Sequence, residues 1–235
     1  MRVRGDCPLG KDVDKGMQQM RDLLESIDKK PLPVTDDARV TELTEGWAGT
    51  GFARAMYDQS SWDGLTDAVR AAQKGDGSQL FQLAREYADR DESGNYHGNI
   101  MQVISAVNCL DRPAEKPSEA ELKARLEKFE KASPTWGESM AQSGVTCEEW
   151  PVRSDSKPAE IQAPGSGPIV VIGTTRDPAT PYEWAQKLAG QLEDGRLITF
   201  DGDGHTAYMR SNDCVDKAVD TFFSKGEAPK DGLSC

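Results

Sequence analysis

Asp177 and His205 are the residues of this chain best placed by type and context to do chemistry together. Asp177 directly follows Pro168-Ile169-Val170-Val171-Ile172-Gly173-Thr174-Thr175-Arg176, an apolar β-branched run ending in an acid. His205 follows Arg196-Leu197-Ile198-Thr199-Phe200 across a loop loosened by glycine, Asp201-Gly202-Asp203-Gly204. Alone, Asp177 reads as a turn aspartate favoured before Pro178, and His205 as a surface-loop histidine. Taken jointly, a carboxylate and an imidazole end two successive strands, 28 positions apart. An acid that orients an imidazole base, which in turn activates a hydroxyl nucleophile, is the chemistry this pair can carry, in the chain order Ser, Asp, His. In that role His205 takes the serine proton and returns it to the leaving group, while Asp177 fixes the tautomer and stabilises the imidazolium.

The elements around the pair suit that role. Ile169–Ile172 is a continuous β-branched run, as expected of a strand buried on both faces. The expected strands are Ile169–Gly173 and Arg196–Phe200. Between them Thr180-Pro181-Tyr182-Glu183 combines an N-cap, a proline at the first helical position and a glutamate three after the cap. That predicts a helix to about Leu192, ending near Gly195. Ser211 or Asn212 should cap a last helix through Phe223, with Val215, Val219, Phe222 and Phe223 as its apolar face. The order strand, helix, strand, helix calls for a right-handed parallel crossover. Catalytic groups in open parallel sheets sit beyond the carboxyl ends of strands, where Asp177 and His205 lie.

Upstream the pattern is different. Residues 11–150 read as mostly helical. Met17, Met20, Leu23, Leu24 and Ile27 repeat at helical spacing, and Ser61 precedes an acid-rich first turn at Trp62. Gln79 to Ala88 and Tyr96 to Cys109 are further apolar helix candidates. Glu119 to Ala132 pairs strong helix formers with dense charge, so it predicts a solvated helix. Pro151, Pro158, Pro164, Gly165 and Gly167 mark a connector. The organisation expected is a helical region over residues 1–150, a connector over residues 151–167, and an α/β segment over residues 168–235. Trp47, Trp62, Trp136 and Trp150 read as packing residues.

Composition narrows the function. The chain has 28 basic and 40 acidic residues, a formal charge of −12. That argues against nucleic acid and anionic membrane as partners, because both reward clustered Lys and Arg, and it permits a cationic ligand such as a free amino terminus. The mean hydropathy of −0.65 fits a long solvated helical region. No apolar run approaches membrane-spanning length, and Met1 to Cys7 does not read as a signal peptide. No cofactor is indicated. The five cysteines, Cys7, Cys109, Cys147, Cys214 and Cys235, form no C-x-x-C pair, so no metal is expected. Buried free thiols are the plain reading, but a thiol at Cys235, on a loose tail, has little packing role, whereas a disulfide would tie that tail down. This favours an oxidised, exported protein. The odd count leaves one cysteine over, for which Cys7 is the candidate. The Asp201–Gly204 loop lacks the spacing and terminal glutamate of a calcium site. His97 has no metal partner at useful spacing.

Six segments together resemble the C-terminal part of secreted actinobacterial tripeptidyl aminopeptidases and their relatives among proline-iminopeptidase-type α/β-hydrolases. They are Asp6-Cys7-Pro8-Leu9-Gly10, Ala106-Val107-Asn108-Cys109-Leu110-Asp111, Cys147-Glu148-Glu149-Trp150-Pro151, the Asp177 strand, Gly202-Asp203-Gly204-His205-Thr206, and the Cys214…Cys235 tail. The resemblance implies a helical cap, or lid, followed by the last strands of an α/β-hydrolase sheet. It implies Cys109–Cys147 and Cys214–Cys235 disulfides, a secreted or cell-envelope location, and a serine peptidase that releases short peptides from free N-termini. Asp177 and His205 are then its catalytic acid and base. The sequence departs from the family in having no G-x-S-x-G nucleophile elbow and no oxyanion-hole loop. The expectation is therefore a partial α/β-hydrolase, inactive alone, whose partners are a peptide substrate and a missing N-terminal hydrolase half carrying the nucleophile. The alternative is a non-catalytic module that binds peptides or a partner.

Overall fold

A computed structural model describes residues 7–111, 115–155, 157 and 159–235. Met1 to Asp6, including the first residue of the Asp6–Gly10 motif, and Pro158 of the connector lie outside the described residues. The chain divides into two compact units. One comprises Met1–Phe52 and Gly64–Lys157, the other Ala53–Asp63 and Pro158–Cys235. The second unit thus takes in a short upstream segment that the sequence pattern assigns to the helical region.

The first unit is built of helices and one small ladder. α1 (Val13–Lys29) begins where the Asp12 carboxylate accepts from the Lys15 amide at 3.0 Å, with Asp14 in its first turn and Lys29 in its last. Leu24 and Ile27 of its expected stripe are buried, whereas Met17 remains exposed. β1 (Leu32–Pro33) and β2 (Glu42–Leu43) pair antiparallel, a ladder that two-residue strands are too short to announce by any period. The helices that follow along the chain are α2 (Glu45–Met56), α3 (Trp62–Gln73), α4 (Ser78–Tyr87), α5 (Ile100–Asp111), α6 (Glu119–Ala132), α7 (Gly137–Gln142) and α8 (Val145–Glu148). Trp47 packs edge-on to Phe81, and Trp136 to Phe52, as packing tryptophans should. α6 has the expected bounds and no buried residue, and it starts with a capping box between Ser118 and Glu121.

Two expectations in this region need correction. Ser61 does not act as the N-cap of α3, because it ends a 3-10 turn, Gln59–Ser61, whose own cap is Asp58. The helix expected from Tyr96 starts only at Ile100, since Tyr96 bridges Arg90 in an extended stretch. His97 lies in that same non-helical stretch, exposed, with its amide donating to the Asp89 carbonyl.

The second unit carries the sheet. β3 (Ile169–Arg176), α9 (Tyr182–Gln191), β4 (Gly195–Asp203), α10 (Asp213–Lys225) and β5 (Leu233–Ser234) follow one another along the chain. β4 lies between β3 and β5 and is parallel to both. Both expected strands run three residues further than their apolar runs. α9 packs on β3 and β4. Ile198, Ala207, Val215 and Val219 form the buried cluster, with Val170, Ile172, Phe200 and Leu233 packed against it. Each fully buried aliphatic side chain contributes about 1.5–3 kcal/mol.

The final helix is capped as expected: the Asn212 side chain accepts from the Cys214 and Val215 amides. Its expected apolar face is too wide, however, because Phe223 is 80% exposed. Gly195 does not terminate α9. That helix ends at Gln191, and Gly195 opens β4, where a Cβ would meet the Ala189 carbonyl oxygen at 2.1 Å. β5 was not expected from its two residues. The Cys235 amide donates to the Thr199 carbonyl at 2.7 Å, and the Asn212 amide group donates to the Cys235 carbonyl at 3.1 Å. The Cys214–Cys235 and Cys109–Cys147 disulfides are both formed, and Cys7 is a free thiol.

Candidate active site

Asp177 and His205 are brought together. The acid leaves the end of β3 and the base follows the end of β4, so the parallel pairing of these strands sets the two loops side by side. The His205 Nδ1 lies 3.0 Å from each carboxylate oxygen of Asp177. The Asp177 side chain is 4% exposed and that of His205 26%.

The acid is surrounded by donors. Asp177 Oδ1 accepts from the Ala179 and Thr180 amides, both at 2.8 Å. Its Oδ2 accepts from the Thr180 hydroxyl at 2.9 Å and from the Thr206 amide at 3.3 Å. Burial alone would push this carboxyl up. The Thr180 and Ala179 amides, then His205 and the Thr180 hydroxyl, outweigh it and hold the group below the usual carboxylate range. An ionised carboxylate can only accept, so Nδ1 carries the imidazole proton and Nε2 has the free lone pair. Among the described residues Nε2 has no hydrogen-bond partner. The arrangement is thus fit to take a proton at Nε2 and to stabilise the resulting imidazolium.

The loop bearing the base is shaped by its backbone. Gly204 has φ +106°, a value that L side chains rarely adopt. Thr206, at φ +67°, is a β-branched residue in the left-handed region, and its amide donates to Asp177. Strain of this kind persists where surrounding contacts over-determine it. His205 also lines a cavity of about 270 Å³ with Tyr57, Asp58, Phe200, Arg210 and Ser211. Its backbone amide donates to the Tyr57 carbonyl at 2.9 Å.

Two contributors escape the sequence pattern. Thr180 reads as a helix cap, but α9 is capped by Pro181 without any side-chain bond, and the Thr180 hydroxyl turns to Asp177 instead. Its position three residues after the acid was the one available signal. Tyr57 lies 148 positions before the base and gives no local signal. The carboxylates of Asp201 and Asp203 are both taken by Arg176. Among the described residues no group of three or more His, Cys, Asp or Glu side chains could hold a metal ion. No helix among them is long and apolar enough to cross a membrane.

A parallel strand–helix–strand with an acid and a histidine at adjacent strand ends defines the C-terminal part of an α/β-hydrolase. Residues 133–235 match the family of TAP-like proteins, and this segment is a TAP-like C-terminal domain of that fold. Carboxylesterase B of Mycobacterium tuberculosis is 35% identical over 233 residues, which cover 97% of this chain and 44% of that protein. Serine protease Hip1 of the same organism is 34% identical over 240 residues, covering 97% of this chain and 45% of that protein. Tripeptidyl aminopeptidase of Streptomyces lividans is 28% identical over 188 residues, 78% of this chain and 34% of that protein. The chain spans less than half the length of these relatives, each of which carries a hydrolase or peptidase name.

Proposed function

We propose that this chain supplies the acid and the base of a Ser-His-Asp serine peptidase that releases short peptides from free N-termini. Asp177 and His205 are its catalytic residues. The nucleophile is the serine of a G-x-S-x-G elbow on a hydrolase segment outside these 235 residues. That segment also continues the sheet along the free edge of β3. Residues 1–150 act as the helical lid. The observation that carries the reading is the contact of His205 Nδ1 with both oxygens of an almost fully buried Asp177. Peptidase chemistry is favoured by the likeness to proteins named serine protease and tripeptidyl aminopeptidase, and the net charge of −12 suits a substrate with a free amine.

His205 Nε2 accepts the serine proton as the hydroxyl attacks the scissile carbonyl, then passes it to the leaving amine. Asp177 keeps the ring in the reactive tautomer throughout. Two disulfides suit an oxidising compartment, so the protein works outside the cytoplasm, in the cell envelope or beyond.

The test is labelling with a serine-directed fluorophosphonate. The chain alone should show no specific labelling, for want of a nucleophile and oxyanion donors. A protein in which it follows a G-x-S-x-G segment should be labelled at that serine. There D177N should lower kcat on a free tripeptide amide by about 10³–10⁴-fold, and H205A at least as much. Specific labelling of the chain alone, or an H205A protein of full activity, would overturn the proposal. A second reading, a peptide- or partner-binding module, is favoured by the exposed Ile100, Val103, Ile104 and Val107 of α5. An upstream reading frame lacking any G-x-S-x-G would select it.

A further inference from the structure

We infer that Tyr57 is a positioning residue for His205, holding the imidazole in register with Asp177. The inference rests on the reading of Asp177 and His205 as acid and base. Three contacts carry it. The tyrosine ring meets the imidazole edge-to-face, with centroids 4.9 Å apart and planes at 73°. The Tyr57 carbonyl accepts the His205 amide at 2.9 Å. The same carbonyl approaches the preceding residue so closely that a Cβ on Gly204 would lie 3.2 Å from it.

Together these hold both ends of the histidine. The bond to Asp177 fixes Nδ1 as a point but leaves the ring free to rock about the line joining them. A second ring packed across the imidazole removes that freedom, because rocking would break an edge-to-face contact on one side and clash on the other. The main-chain bond then fixes where the Cα sits. Tyr57 is itself anchored within the same compact unit, since Ala53–Asp63 belongs with residues of the sheet. Two residues further on, Gln59 Nε2 donates to the Asp203 carbonyl at 3.4 Å, a second tie between this segment and the histidine loop. Preorganisation of this kind matters because a small misplacement of a proton-transfer group costs rate steeply.

The experiment uses the 235-residue chain with ¹⁵N-labelled histidine, observed by NMR at the His205 ring. The wild type should show a single tautomer with the proton on Nδ1 and slow exchange of that proton. In Y57A the exchange should quicken about tenfold or more, and the two nitrogen shifts should move toward each other as the ring samples further orientations. Y57F keeps the ring and should match the wild type. Y57L, which keeps most of the side-chain volume, covers the case in which Y57A does not fold, and should behave as Y57A. An unchanged His205 ring in either Y57A or Y57L overturns the inference, as does a Y57F as disturbed as Y57A. The D177N chain separates the two levels. If its Nδ1 signal equals that of the wild type, the acid–base reading itself fails and takes the inference with it. If D177N abolishes the signal while Y57A and Y57L preserve it, only the role of Tyr57 falls.

Discussion

Arg176 and Asp203 join the ends of β3 and β4 immediately before the acid and the base. The Arg176 Nε lies 2.6 Å from Asp203 Oδ1, and its Nη1 lies 2.7 Å from Asp201 Oδ1. The two residues also face each other in the ladder, just past a register shift between Thr174 and Arg176. A forked guanidinium gripping two carboxylates on the neighbouring strand fixes how far each loop projects. R176M keeps the side-chain stem and loses the fork. It should speed amide exchange at Gly202 and His205 while leaving Val171 and Ile172 unchanged, and high salt should mimic part of the effect in the wild type because these groups are solvent-exposed. Unaltered exchange at Gly202 and His205 would mean that the backbone ladder alone sets the register.

Thr180 is expected to matter through Asp177. Its hydroxyl bond lowers the carboxyl, so removing it in T180V raises the folded-state value toward the unfolded one, about 3.9. A group depressed on folding contributes stability that is full above its unfolded value and is lost as pH falls through its folded value. T180V should therefore cost about 1 kcal/mol at pH 7, and the gap from wild type should narrow below about pH 4. T180S should restore the wild-type curve. Urea unfolding at pH 7 and pH 3 measures this. A cost that is the same at both values would show that the hydroxyl acts on packing and not on the charge of Asp177.

The pair at the site was legible because its signal is local. Ile169–Ile172 announces a strand, although Val171 alone of the four is buried and the others are half-buried, and a parallel neighbour then leaves its end residue beside the end residue of β4. Asn212 was legible for the same reason, since a cap bonds within three residues. Thr180 misled because one pattern, threonine before proline with a glutamate after, suits both a cap and a donor to an upstream acid. Only the fold decides whether the hydroxyl accepts from an amide of the following helix or donates to the acid. Tyr57 was illegible because its contact spans 148 positions and its segment groups with residues far along the chain. β5 was illegible because a two-residue strand has no period, and the contacts around it, the disulfide and the bonds of Cys235 to Thr199 and Asn212, are made far along the chain. Phe223 shows the opposite limit. Helical spacing marks a face as apolar but cannot say how wide a neighbour covers it.

In the helical unit, Asp37 should be the most costly charge to remove. Its side chain is 0% exposed and lies between Arg90 and Arg85, themselves 4% and 5% exposed. Asp37 Oδ1 accepts from Arg90 Nη2 at 3.0 Å, and Oδ2 from Arg85 Nη1 at 3.4 Å. The Arg90 hydrogen bonds hold the Asp37 carboxyl well below the usual carboxylate range against the opposing pull of burial. D37A leaves two guanidinium groups buried beside each other and should destabilise the unit by about 3–5 kcal/mol. D37N, which keeps the shape but not the charge, should recover only part of that. Thermal unfolding of the two variants tests it. A D37A chain as stable as wild type would show that water reaches the arginines.

The Cys214–Cys235 disulfide should govern the C-terminal tail and, through it, the start of α10. The bridge closes a separation of 21 residues, worth about 3 kcal/mol on a chain-entropy view. Its local effect is more specific. Cys235 delivers its amide to Thr199 on β4 and its carbonyl to Asn212, the residue that caps α10, so the bridge, the third strand and the helix cap form one connected unit. The double variant C214S/C235S should lower the urea midpoint accordingly. It should also release the amide of Cys235Ser to rapid exchange, and loosen the cap at Val215, while β3 and the register of β4 with it persist. Alkylation of the folded, unreduced wild type should modify Cys7 alone. Reaction at Cys214 or Cys235 under those conditions would refute the bridge. Protection of residue 235 in the double variant would show that β5 holds to the sheet by its hydrogen bonds without the sulfur link.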